Sequence, residues 1–197
     1  MSTVKSKKLQ VGTDASASNN FTIYQPATPD GTLRIGVGNA DSPTEVGRFD
    51  SNGYVATNAP AFRAYNTSSS VTVNTSTTTK ATYPTETFDS ASCYDTTTSR
   101  FTPNVAGYYL IGAGNGFAAN TSGTRQIFLY KNGSELSTFH RGPTTSGTYR
   151  VSGSTLTYAN GTTDYFEIYL WQDSGSNLAS FISNESTVFW AYLARAI

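Results

Sequence analysis

His140 is the only histidine and Cys93 the only cysteine among the 197 residues. His140 lies in the stretch Thr138–Pro143, which reads as a strand end and loop. A general base there would need a nucleophile and an orienting group within reach, and nothing at a fixed offset supplies them. One histidine and one cysteine cannot build a zinc site without carboxylates or another subunit, although a three-fold axis could gather three copies of His140. Glu86, Asp89, Asp95 and Asp164 are the carboxylates from which a glycan-hydrolysing acid–base pair would be drawn, and their spacing selects no pair. Asp89, Asp95 and Asp173 fall in predicted loops, without the regular ligand spacing of a calcium loop. The expectation is a protein with no catalytic residue, no metal and no cofactor.

Charge narrows the partners. Lys plus Arg and Asp plus Glu number 13 each, so no global field draws in nucleic acid or anionic lipid, and neither is expected as a partner. The only basic run, Lys5, Lys7 and Lys8, sits in a polar N-terminal leader where it could touch an acidic neighbour. A lone Cys93 cannot form an intrachain disulfide, so packing must hold the fold, as suits synthesis in a reducing cytoplasm. The first ten residues lack the apolar stretch of a signal peptide, and no apolar run approaches the ~20 residues that span a bilayer.

Only 13% of residues are charged and 13% are aromatic, with Ser, Thr, Asn and Gly abundant. β-Branched and aromatic side chains pack well on pleated surfaces and lose rotamer freedom in helices, so the expected fold class is all-β. Two parts are predicted, residues 1–58 and 59–197. Residues 1–20 are polar and would not order in water by themselves. Alternating segments at Phe21–Tyr24 and Gly31–Val37, with Leu33, Ile35 and Val37 on one face, and a hairpin turning at Ser51, Asn52 and Gly53, make the first part an N-terminal β-hairpin anchor. It holds too few large apolar groups for a core of its own, so it needs partners. The joint is placed at Asn58–Pro60. Beyond it an edge strand with loops is expected over Asn66–Thr82, then strands at Gly107–Ala113, Arg125–Lys131, Tyr149–Ala159, Asp164–Trp171 and Thr187–Leu193.

Two of these strands are apolar on both faces. In Asp164–Trp171, Phe166, Ile168 and Leu170 alternate with Tyr165, Tyr169 and Trp171; near the C-terminus, Phe189, Ala191 and Leu193 alternate with Val188, Trp190 and Tyr192. An antiparallel sandwich that stands alone normally keeps one side polar, so the second side is expected to be covered by other copies of the chain. Tyr165, Tyr169, Trp171, Val188, Trp190 and Tyr192 are therefore the candidate homotrimer interface. A ligand groove is the alternative.

The order of motifs over residues 60–197 resembles the globular head of the complement C-one-q and tumour-necrosis-factor superfamily. The residues carrying it are Pro60–Ala64, Phe88–Asp95 with Arg100–Pro103, Ala106–Leu110, Ile127–Gly133, Ser152–Leu156 with Asn160, Gly161 and Asp164, and Phe189–Leu193. The resemblance implies an antiparallel jelly-roll β-sandwich assembled as a homotrimer. Thr32–Gly38 followed by Arg48–Val55 is similar to hairpin segments that precede receptor-facing heads in phage fibre and capsid-appendage proteins.

Together these readings lead to an expected function: a bacteriophage virion structural protein, a trimeric capsid-decoration (cement or head-fibre) subunit on the particle surface, made in the host cytoplasm. Its partners would be a major capsid or tail protein, gripped through Lys5, Lys7, Lys8, Leu9, Phe21, Ile23, Leu33 and Ile35. A tail fibre binding a host-surface glycan is the competing reading, with Asn115, Asn120, Thr145 and Tyr149 in the candidate ligand loops. A carbohydrate-binding module and a glycan hydrolase are alternatives of other classes.

Overall fold

The computed structural model describes residues 7–51, 53–56, 59–144 and 147–197; Lys5, Asn52, Asn58 and Thr145 lie outside the described residues. The chain divides into two compact units, Met1–Asn58 and Ala59–Ile197.

Five strands of the first unit, β1 (Lys8–Val11), β2 (Phe21–Tyr24), β3 (Leu33–Val37), β4 (Thr44–Asp50) and β5 (Gly53–Ala56), follow one another as an antiparallel meander. The leader, expected to be without order of its own, is in part built into this sheet. β1 pairs with β2 from Lys8 opposite Tyr24 to Val11 opposite Phe21. The reason lies in the main chain: four residues with exposed side chains still satisfy the backbone groups along one edge of β2. Asn20, 1% exposed, closes the connection by donating to the Asp14 carbonyl and the Asn39 side chain and accepting from the Asp14 N–H. Because directly paired residues share a face, Leu9, Ile23 and Ile35 form one apolar row and Val11, Phe21 and Val37 another. Beside the sheet's polar groups, Arg34 joins Asp30 to Glu45, which also pairs with Arg48.

The second unit contains β6 (Ala61–Asn66), β7 (Thr72–Val73), β8 (Thr79–Lys80), β9 (Thr85–Asp89), β10 (Tyr94–Asp95), β11 (Arg100–Phe101), β12 (Gly107–Phe117), β13 (Thr124–Lys131), β14 (Ser134–Pro143), β15 (Tyr149–Ala159), β16 (Phe166–Gln172), β17 (Leu178–Ala179) and β18 (Ser183–Ala196). One sheet runs β15-β12-β18-β6-β9; the facing sheet runs β10-β11-β16-β13-β14, with β8 also on β16. The named strands pair antiparallel, and the result is a jelly-roll sandwich.

Alternation sends Phe62, Tyr109, Ile111 and Phe189 inward from the first sheet to meet Phe101, Ile127, Leu129, Phe166 and Ile168 from the second. Phe62 stacks on Tyr94 at 4.4 Å and 9° and takes Phe189 edge-on at 5.0 Å and 85°. Each such ring, buried, contributes roughly 1.5–3 kcal/mol from area alone.

β12 runs past Ala113 to Phe117, because Gly112, Gly114 and Gly116 are strand residues at sites of close approach. A Cβ at 114 would come within 2.8 Å of the Ser186 carbonyl oxygen, and one at 116 within 3.0 Å of the Phe181 Cβ. β14 makes a strand of the segment read as strand end and loop, and His140 lies within it, opposite Ile127.

Candidate subunit interface and loop cluster

The six residues expected at one interface lie on two sheets, facing opposite ways from the shared core. Val188, Trp190 and Tyr192 belong to β18, whereas Tyr169 and Trp171 belong to β16 and Tyr165 precedes it. The two outer faces differ in what covers them.

On the β16 side the chain supplies its own cover. The Arg100 guanidinium lies 3.9 Å from the centroid of Tyr165, and Tyr130 and Tyr169 meet at 4.1 Å. Between them Glu167, 3% exposed, accepts from Lys80 at 2.6 Å and from Arg100 at 2.9 and 3.0 Å. Burial opposes the charge on Glu167, but hydrogen bonds and the charges of Lys80 and Arg100 outweigh it and hold the carboxyl below its usual range. An ion-pair cluster and a cation–π contact within the chain thus occupy part of this apolar-looking strand face.

On the β18 side the charged groups lie at the margins: Arg63, paired with Trp190, is over the Tyr65 ring, and Lys131 is 5.6 Å from the Tyr158 ring centroid. The Trp190 indole lies across Gly112, which has no side chain to obstruct it, and stacks with Tyr192 at 6.4 Å and 11°. Tyr108 and Tyr158, paired across β12 and β15, have rings 5.9 Å apart and are 43% and 38% exposed. Leu156, opposite Leu110, is 58% exposed. Beside Trp190 a groove of about 490 Å³ is lined by Arg150, Ser152, Ser154, Glu185 and Val188. Tyr108, Leu156 and Tyr158 were not among the sequence candidates. The signal was present, since period-two alternation through β12 and β15 sets Tyr108 and Leu110 apart from Tyr109 and Ile111.

The predicted ligand loops are only partly loops. Asn115 is a strand residue, 2% exposed, whose side chain accepts from the Gly116 N–H in the core beside Tyr83; the glycines around it had made a strand read as a loop. Tyr149 opens β15, half-buried, with its hydroxyl 3.0 Å from His140 Nε2. Asn120 does stand in a loop, where it accepts from the Ser122 N–H and donates to Ser176. That loop is fastened by Arg125, which sequence reasoning missed. Arg125 is 0% exposed and donates to the carbonyls of Asn120, Ser122 and Thr124. Burial lowers its pKa, against the charge of Asp173, which accepts from the Thr124 N–H.

Of the four carboxylates considered for hydrolysis, Asp89, Asp95 and Asp164 have hydrogen-bond partners, while Glu86 is exposed on β9, its carboxyl held above the usual range by desolvation and the charge of Asp89. Asp89 accepts from the Ala91 and Tyr94 N–H groups and the Cys93 thiol. Asp95 accepts from Thr97 and Thr98, and Asp164 from Asn132, Lys131 and the Asn160 N–H.

No protein-family model and no curated protein matches this sequence. Among solved structures, murine APRIL at pH 8.0 superposes with a TM-score of 0.53 at 11% identity, covering 68% of this chain and 98% of that one. The globular domain of zebrafish complement 1qA protein gives 0.49 at 14% identity over 71% and 99% of the two chains, and the Eiger TNF of S. frugiperda 0.49 at 11% over 71% and 94%. The strand order together with the APRIL superposition makes the fold of the second unit the jelly roll of the complement C-one-q and tumour-necrosis-factor type.

Proposed function

We propose that the chain is a non-enzymatic structural subunit that assembles as a homotrimer on the surface of a phage particle, as a capsid-decoration protein attached through its N-terminal unit. The observation that carries the trimer is the contrast between the two outer faces of the head. Arg100, Lys80 and Glu167 form an ion-pair cluster on one, while Tyr108, Leu156, Tyr158 and Tyr192 stand 38–58% exposed around Trp190 on the other. Aromatic and aliphatic groups gathered on one sheet face gain on the order of 25 cal/mol for each Å² that a neighbour removes from water. The particle assignment is supported by the likeness of Thr32–Gly38 and Arg48–Val55 to segments that precede heads in phage appendages.

Light scattering of the full chain tests the first step. A trimer is expected, broken by Trp190→Asp with Leu156→Asp while the β-sheet spectrum is kept; a wild-type monomer would overturn it. Labelling intact particles with an antibody to the head tests the second. Signal over the shell supports decoration, and signal confined to the tail replaces it with the fibre reading. That second reading is favoured by one observation, the Asn120 loop held in fixed shape by the buried Arg125, a rigid presentation that suits a host-surface glycan.

A further inference from the structure

Among the described residues of the N-terminal unit, no second layer packs on one face of the meander. Its rows Leu9–Ile23–Ile35 and Val11–Phe21–Val37, extended by Leu33, contain no side chain that can ionise. Leu9 and Val11 are 59% and 57% exposed, Phe21 and Leu33 47% and 49%, and Ile23 37%. Those five leave on the order of 500 Å² open, the size at which a patch marks an interaction site and more than half of the ~800 Å² that one partner brings to a standard interface. The reverse face needs no such cover. Thr22 is buried there and donates to the Gly38 carbonyl, and Gly36 lies against Pro43. A sheet greasy on one side only is half of a two-layer structure.

We propose that this face is covered by the same face of other copies of the chain, so that the N-terminal units of one assembly close around a shared apolar core. The proposal rests on the trimeric reading of the head. Chemistry favours a second copy as occupant: against these apolar rows, which have Lys7 only at their edge beside Leu9, a polar particle surface would lose water without gaining hydrogen bonds along the rows, whereas identical rows bring only aliphatic and aromatic groups. The tether favours it as well. Unit and head are one chain, so trimerised heads hold the N-terminal units at an effective concentration on the order of millimolar. Grip on the particle then falls to the polar reverse face rather than to Leu9, Phe21, Ile23, Leu33 and Ile35.

Cys93 is buried and alone, which leaves an introduced thiol as the reporter. Full-length Ile23→Cys, on the apolar face, and Ser18→Cys, on the exposed turn before β2, are treated with a short bismaleimide, and the wild-type mass is measured by light scattering. Leu9→Cys replaces Ile23→Cys if the latter lowers the melting temperature. The expected result is a trimer in which Ile23→Cys shifts from a single-chain band to a linked pair while Ser18→Cys does not. A trimer without that linkage overturns the face-to-face contact and leaves the head assembly standing. Linkage in a wild-type protein whose mass is that of a dimer, not a trimer, sinks the trimeric head and keeps the contact. A monomer without linkage removes both.

Discussion

Trp190 lies across Gly112 of the neighbouring strand, so that a Cβ at 112 would fall inside contact distance of the ring atoms Cζ2, Cε2 and Cη2. The indole is flattened onto its sheet because position 112 has no side chain. Gly112→Val would stand the ring up and roughen the face that the proposed trimer uses. The fold should survive, since the obstruction is the far end of a side chain and not backbone. Sedimentation equilibrium should show subunit affinity weakened at least tenfold, or about 1.4 kcal/mol.

Glu167 offers a test of the opposite face. Glu167→Gln leaves Lys80 and Arg100 without their carboxylate and is expected to cost about 1–3 kcal/mol in urea unfolding, less than a fully buried pair because both cations are partly exposed. The pH dependence follows from the depressed carboxyl. Its stabilisation is complete above the usual value of 4.5 and is lost as the pH falls through the lower folded value. The difference between wild type and Glu167→Gln should therefore narrow on acidification below that point, and a constant gap would contradict the ion-pair account.

Arg125 ties three carbonyls of one loop from a buried position. In Arg125→Met those carbonyls turn to solvent, with an expected loss of about 1–3 kcal/mol. Amide exchange should accelerate over residues 118–124 and stay protected in β12. Arg125→Lys should rescue only in part, since an ammonium lacks the second arm of the guanidinium.

Cys93 is 4% exposed, and burial, followed by the neighbouring Asp89, pushes its thiol up. At neutral pH it should resist maleimide in the folded protein and react quickly in denaturant. Mass spectrometry of labelled samples reads the difference.

Phe62 sits among Tyr94, Phe101 and Phe189, 1% exposed. Phe62→Ala is expected to cost about 3–5 kcal/mol, because a ring-sized void cannot be refilled by neighbours that are themselves rings.

Much of the fold was legible because a strand's alternation is written in consecutive residues. Phe166, Ile168 and Leu170 could be assigned to one side and Tyr165, Tyr169 and Trp171 to the other without knowledge of any other strand, and the structure buries the first set completely. Strand ends were less legible. Gly114 and Gly116, beyond the expected strand end at Ala113, have the composition of a loop, and their place in β12 shows only when Ser186 and Phe181 are brought beside them. The same error placed Asn115 in a loop. In the leader, β1 has exposed side chains throughout, so nothing in its composition announced that its backbone would complete a sheet.

The sequence by itself determined which side chains point to which side of each strand, because a pleat of period two needs only neighbours along the chain. Which outer face stays open to a partner was decided by tertiary structure. Arg100 and Lys80 reach Glu167 across 67 and 87 residues of chain, and that meeting, a product of strand order, occupies part of one face and leaves Trp190 and Tyr192 on the other.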